Sequence, residues 1–83
     1  MTQDEIKDIV MNTLYKIAPE LEDQVIDSNV NFRDQFDFDS VDFLNFAISL
    51  QKKTNIDIPE IDYPKLSSLT GCITYFESKS SAG

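Results

Sequence analysis

The sequence predicts an all-α domain, a three-to-four-helix bundle with a long loop between its first and second helices. Three observations carry that expectation. Apolar residues recur at three- and four-residue spacing in three separate segments, which lays them along one face of a helix. The alternating run Ile56-Asp57-Ile58-Pro59 has no second run to pair with, and a lone short strand has no stability of its own, so it reads as an extended loop. The chain has 83 residues, which suits one domain around one core.

The first helix carries Ile6, Ile9, Val10, Leu14 and Ile17 on one face, a core stripe. Thr2 with Glu5 three residues later makes a capping box at its start, and Pro19 stops it near Ile17 or Ala18. From Pro19 to Phe38 acids and amides mix with Leu21, Val25, Ile26, Val30 and Phe32, with no clean period. A helical turn fits around Leu21–Ile26, and the rest reads as a loop pinned to the core by Val30, Phe32 and Phe36. Loops this long in small domains are often functional.

The second helix begins at Asp39-Ser40, with Asp39 as N-cap and Asp42 at the third helical position. Phe38 before the cap and Phe43 inside it make a hydrophobic staple. The helix runs to about Lys53, where Lys52 and Lys53 complement its dipole. Beyond Thr54-Asn55, a short turn over Asp62–Leu66 takes Asp62 as its cap. The last helix starts after Ser67 or Ser68 and carries Leu69, Cys72, Ile73 and Phe76, and Gly71 near its start costs little. The domain spans residues 1–77, and residues 78–83 form a flexible polar tail.

Composition restricts function. Seven basic against fifteen acidic side chains give a net charge of −8, which argues against nucleic acid and for partners with basic patches. The chain has no histidine, which removes the usual neutral-pH base, so no Ser-His or Cys-His nucleophile can be assembled within it, and no enzyme is expected. No metal site is expected either: Asp37 and Asp39 begin like a calcium loop, but Val41 takes the next ligand position and no glycine follows. Asp57, Glu60 and Asp62 read as solvated acids and a cap. The single cysteine, Cys72, sits on an apolar face and reads as buried and inert. An acidic start without a secretory pattern, a lone cysteine and no membrane span fit a cytoplasmic monomer.

The second helix is the informative element. Phe43, Phe46, Ala47 and Leu50 form one apolar stripe, and Val41, Leu44 and Ile48 form another beside it. Together they cover roughly 220°, about twice what a core-facing stripe requires. Either the helix is buried on both sides or the second stripe is left for a partner. Ser40 adjoins that stripe at the first turn, where a phosphate ester would face unpaired amides and the positive helix end. On these residues alone Ser40 also reads as an ordinary first-turn serine.

Asp39-Ser40-Val41-Asp42, followed by an apolar helix and later by Ile58-Pro59, resembles the acyl carrier protein family, in which an Asp-Ser-Leu-Asp motif opens the second helix. The resemblance extends over nearly the whole chain and implies a carrier holding an acyl group as a thioester on a 4′-phosphopantetheine arm. It implies that Ser40 takes the arm from coenzyme A, that Asp39 is recognised by the phosphopantetheinyl transferase, and that Asp42 is the second acid of the motif. Val41, Leu44 and Ile48 would then meet partner enzymes, acyl ligases or synthases with basic docking patches. A peptidyl or aminoacyl carrier shares the arm, and an unmodified acidic helical adaptor shares the surface. Two positions depart from the family pattern. Asp37 replaces a glycine before the motif, and Lys52 and Lys53 replace glutamates of the second helix, which points to a specialised carrier.

Overall fold

The computed structural model describes residues 1–81 as helices with connecting turns, and contains no strand among those residues. Helix α1 spans Gln3–Ile17 and begins on the expected capping box: Thr2 Oγ1 accepts from the Glu5 amide at 3.2 Å, and Glu5 Oε1 accepts from the Thr2 amide at 3.0 Å. These bonds also hold the Glu5 carboxyl below its ordinary pKa. Helix α2 is one turn, Phe32–Gln35; α3 spans Ser40–Thr54; α4 spans Leu69–Ser81. Tight 3₁₀ turns occupy Pro19–Asp23 and Glu60–Leu66. Helix α1 packs against both α3 and α4. A bond from Gln3 Nε2 to Glu77 at 3.2 Å ties the start of α1 to the far end of α4, so these two run antiparallel.

Each helix buries the stripe its spacing marked. Ile6, Val10 and Leu14 of α1 meet Phe46, Ala47 and Leu50 of α3 and Leu69, Cys72 and Phe76 of α4 in one core. Ile9, Ile17, Phe43 and Ile73 are half-buried at its edge. Within α1, α3 and α4, two buried residues among those described lie outside the marked stripes. Thr13 is tolerated because its hydroxyl donates to the Ile9 carbonyl at 2.7 Å. Tyr75 is tolerated because its hydroxyl donates to Asp62 Oδ2 at 2.8 Å. Burial and the Asp62 carboxylate push the Tyr75 phenol up to about 12, and the same bond holds the Asp62 carboxyl below its ordinary value.

The connection between α1 and α3 is more structured than a pinned loop. Its turn lies at Pro19–Asp23 rather than Leu21–Ile26, because Pro19 is preset for a first helical position, and Leu21 is buried beneath it. Val25, outside the turn, is 99% exposed. Phe32 is fully buried and its amide donates to the Ser67 carbonyl at 2.8 Å. Gln35 gathers the strap: its Oε1 accepts from the Asp27 amide, and its Nε2 donates to the Asp27 and Val30 carbonyls, each at 2.9 Å. The Thr70 amide donates to the Ser28 carbonyl at 3.0 Å, and the Thr70 hydroxyl donates to Asn29 Oδ1 at 2.8 Å, fastening the strap to α4.

Three further expectations change. Asp62 does not cap its turn, which begins at Glu60 after Pro59; it bonds Tyr75 and pairs with Lys65 at 3.4 Å. Gly71 is a requirement rather than a small cost, since a Cβ there would stand 2.5 Å from the Lys65 carbonyl oxygen. The segment expected as a polar tail from Ser78 continues α4 to Ser81, and Ala82 and Gly83 lie outside the described residues. Cys72 is buried as expected, with its thiol pushed far up by desolvation, so it is protonated and unreactive.

Candidate functional site

The site is assembled by the start of α3. Asp39 Oδ1 accepts from the Asp42 amide at 2.9 Å, and the Asp39 carbonyl accepts from the Phe43 amide at 3.0 Å. These two bonds close the first turn. Phe38 is buried just before the cap and meets Phe43 edge-on, with ring centroids 6.1 Å apart, which is the expected staple. Phe38 also stacks edge-on against Phe32, Phe36 and Phe46 at 5.5–6.0 Å. The cap is therefore anchored to the core through its preceding residue, and the first turn is a rigid platform.

Ser40 occupies the first helical position of that platform and is exposed. Among the described residues no hydrogen bond engages its hydroxyl, and Asp39 rather than Ser40 caps the helix. The amides of Ser40 and Val41 precede any intrahelical partner, so an anionic group esterified to Ser40 would lie against donors and the positive end of α3. This local geometry fits a phosphodiester.

The second stripe of α3 is exposed. Val41 is 65%, Leu44 45% and Ile48 41% accessible, while Phe46, Ala47 and Leu50 on the other side are buried. Asp39 is exposed and Asp42 partly so, which places both acids of the motif at the same end as Ser40. The structure thus brings together the cap Asp39 and Ser40, Val41, Asp42, Leu44 and Ile48 on one helix, the first half of which exposes apolar side chains next to polar ones. Asp37, in place of glycine, imposes no strain: among described non-glycine residues only Asn55, which ends α3, has a positive φ, at 55°. Sequence reasoning missed one charged contact of α3. Lys53 stands beside Lys16 of α1, and partial burial together with the Lys16 charge lowers the Lys53 pKa. Nothing in the spacing pairs residues so far apart in the chain.

A small helical domain thus presents an exposed serine at the start of a helix, beside an exposed apolar stripe. The match to the family described as "Phosphopantetheine attachment site" covers residues 4–73, and the chain belongs to this family, among the acyl carrier proteins. It is 32% identical over 74 residues to an acyl carrier protein of Brachyspira hyodysenteriae, covering 89% of this chain and 90% of that one. It is 26% identical over 73 residues to an acyl carrier protein of Lactobacillus acidophilus, covering 88% of this chain and 85% of the relative. No solved structure matches the chain significantly. Proteins of this family are carriers rather than enzymes, carry a covalently attached 4′-phosphopantetheine, and work with transferases and synthases. Among the described residues no helix is long and apolar enough to cross a membrane.

Proposed function

We propose that the chain is a specialised acyl carrier whose arm is attached to Ser40 and holds an acyl group as a thioester between enzymes of a biosynthetic pathway. The observation that carries the reading is the exposed, unengaged Ser40 hydroxyl on a turn fixed by Asp39 and Phe38. The arm supplies a thiol, and the acyl group rides on that thiol. Everything else is the work of the protein. Ser40 provides an oxygen in a fixed position, and the free amides of the first turn accommodate the ester's charge. In the attachment step the Ser40 oxygen bonds the phosphorus of coenzyme A's phosphopantetheinyl group, the diphosphate bond breaks to release adenosine 3′,5′-bisphosphate, and the serine proton passes to a base of the phosphopantetheinyl transferase.

Asp39 and Asp42 steer basic patches of the transferase and of an acyl ligase or synthase toward Ser40, and Val41, Leu44 and Ile48 supply the apolar contact. The net charge of −8 supports such steering, and the buried, protonated Cys72 is compatible with a reducing cytoplasm. The test is direct. Incubation with coenzyme A and a broad-specificity transferase should add one phosphopantetheinyl mass, and peptide mapping should put it on the segment holding Ser40. An unchanged mass would leave the adaptor reading, in which α3 docks without modification.

The apolar stripe makes a second expectation. Ile48→Asp should lower turnover by an acyl-transferring enzyme that accepts the wild-type chain by about tenfold or more, as loss of a central docking contact does. The same change should move stability by well under the cost of a core substitution, because Ile48 is 41% accessible. Thermal melting beside the turnover assay separates the two; a collapsed melting temperature would place Ile48 in the core.

A further inference from the structure

The exposed face of α3 does not keep one sign of charge. Asp37 and Asp39 lie just before the helix and Asp42 in its first turn, whereas Lys52 and Lys53 close its last turn. At about 100° per residue, Lys52 lies only about 40° around the helix from Ile48, so it continues the Val41, Leu44 and Ile48 stripe by one more turn. Lys53 lies about 140° from Ile48, on the side where Lys16 of α1 stands. The helix dipole accounts for lysines in a last turn. It does not account for a like-charge contact between two helices in a chain with fifteen acids and seven bases. Among the described residues neither Lys16 nor Lys53 is ion-paired, although Glu22 lines the same hollow of about 350 Å³. Lys52 thus puts one of the chain's few positive charges at the end of the exposed stripe, while Lys53 and Lys16 meet around the helix from it.

We propose that α3 docks on an acyl-transferring enzyme whose carrier-facing surface presents carboxylates opposite Lys52, basic groups opposite Asp39 and Asp42, and an apolar strip between them. This rests on the carrier reading and specifies its partner. Roughly 20 Å of helix axis separates Asp39 from Lys52, so the two contacts fix both the direction and the register of docking. A partner that is basic along its whole docking face is repelled at the lysine end, because like charges brought together at an interface cost affinity and slow association. Lys52 thereby selects one dedicated enzyme against others that share the arm chemistry.

The experiment uses a ketoacyl synthase with a uniformly basic carrier-docking face as probe. The wild-type chain, Lys52→Ala and Lys52→Glu are each converted to the arm-bearing, acylated form and verified by intact mass. In low salt, kcat/KM should rise from Lys to Ala to Glu, by about tenfold overall, and the spread should shrink at 1 M salt, where the Debye length is about 3 Å. Reversing the synthase residues that face this end to acids should restore use of the wild-type chain. Equal kcat/KM for all three chains in low salt would overturn the proposal while leaving the carrier reading intact. Failure of every chain to take the arm would overturn both.

Discussion

Ser40→Ala should show no mass gain under conditions that convert the wild-type chain completely to its arm-bearing form, and its helical fold should be unchanged. The loss is absolute because the ester needs an oxygen at that position, and alanine has none. The fold survives because the Ser40 hydroxyl is exposed and makes no hydrogen bond among the described residues, while Asp39 supplies the cap. A surface change of this kind stays within about 0.5 kcal/mol, and alanine favours a helix at least as well as serine. Asp39→Ala should behave differently. It removes the bond to the Asp42 amide and costs about 1 kcal/mol, so it should lower the melting temperature while leaving the ester oxygen in place. Intact mass and circular dichroism on both variants read these outcomes. A full mass gain in the Ser40→Ala chain would move the attachment to another residue and sink the assignment.

The contrast between those two variants follows what the sequence makes legible. Caps are local: Thr2 with Glu5 and Asp39 with Asp42 lie three residues apart, and the amide bonds they predict are present. Helical stripes are local too, and on α3 the division between buried Phe46, Ala47 and Leu50 and exposed Val41, Leu44 and Ile48 needs only the helical angle. What escapes is decided across the fold. The turn Phe32–Gln35 is too short to hold itself together and depends on the Ser67 carbonyl and on the rings packed around Phe32. Asp62 looks like a cap until Tyr75 arrives from α4 to claim its carboxylate. Gly71 looks like a weak helix residue until the Lys65 carbonyl comes within reach of its missing side chain. Lys16 and Lys53 meet only because the ends of α1 and α3 come together. The serine turn and the lysines that end α3 belong to the local class and are legible in the sequence, whereas the meeting of Lys53 with Lys16 belongs to the other.

Phe32→Ala should be the most damaging single substitution toward the site, although the residue touches no partner. Phe32 is fully buried, packs against Phe36, Phe38 and Phe46 with centroids 5.5–6.0 Å apart, and sits where the strap crosses from α1 to α3. Truncating a buried ring to alanine costs about 3–5 kcal/mol, since the neighbours relax only partly into the void. At about 0.05–0.15 kcal/mol per residue, a chain of 83 residues has a total stability of about 4–12 kcal/mol, so this one change removes a large share. The damage reaches Ser40 through Phe38, which leans on Phe32 and immediately precedes the Asp39 cap. Arm attachment should therefore slow even at temperatures where helix remains by circular dichroism, because the start of α3 is no longer held. Phe32→Leu keeps most of the apolar volume and should lose much less on both counts. Urea unfolding of the two variants, with the attachment rate measured alongside, tests the coupling. A Phe32→Ala chain destabilised by less than about 1 kcal/mol would mean that the strap is fastened elsewhere, and an unchanged attachment rate in a strongly destabilised chain would detach the aromatic cluster from the platform.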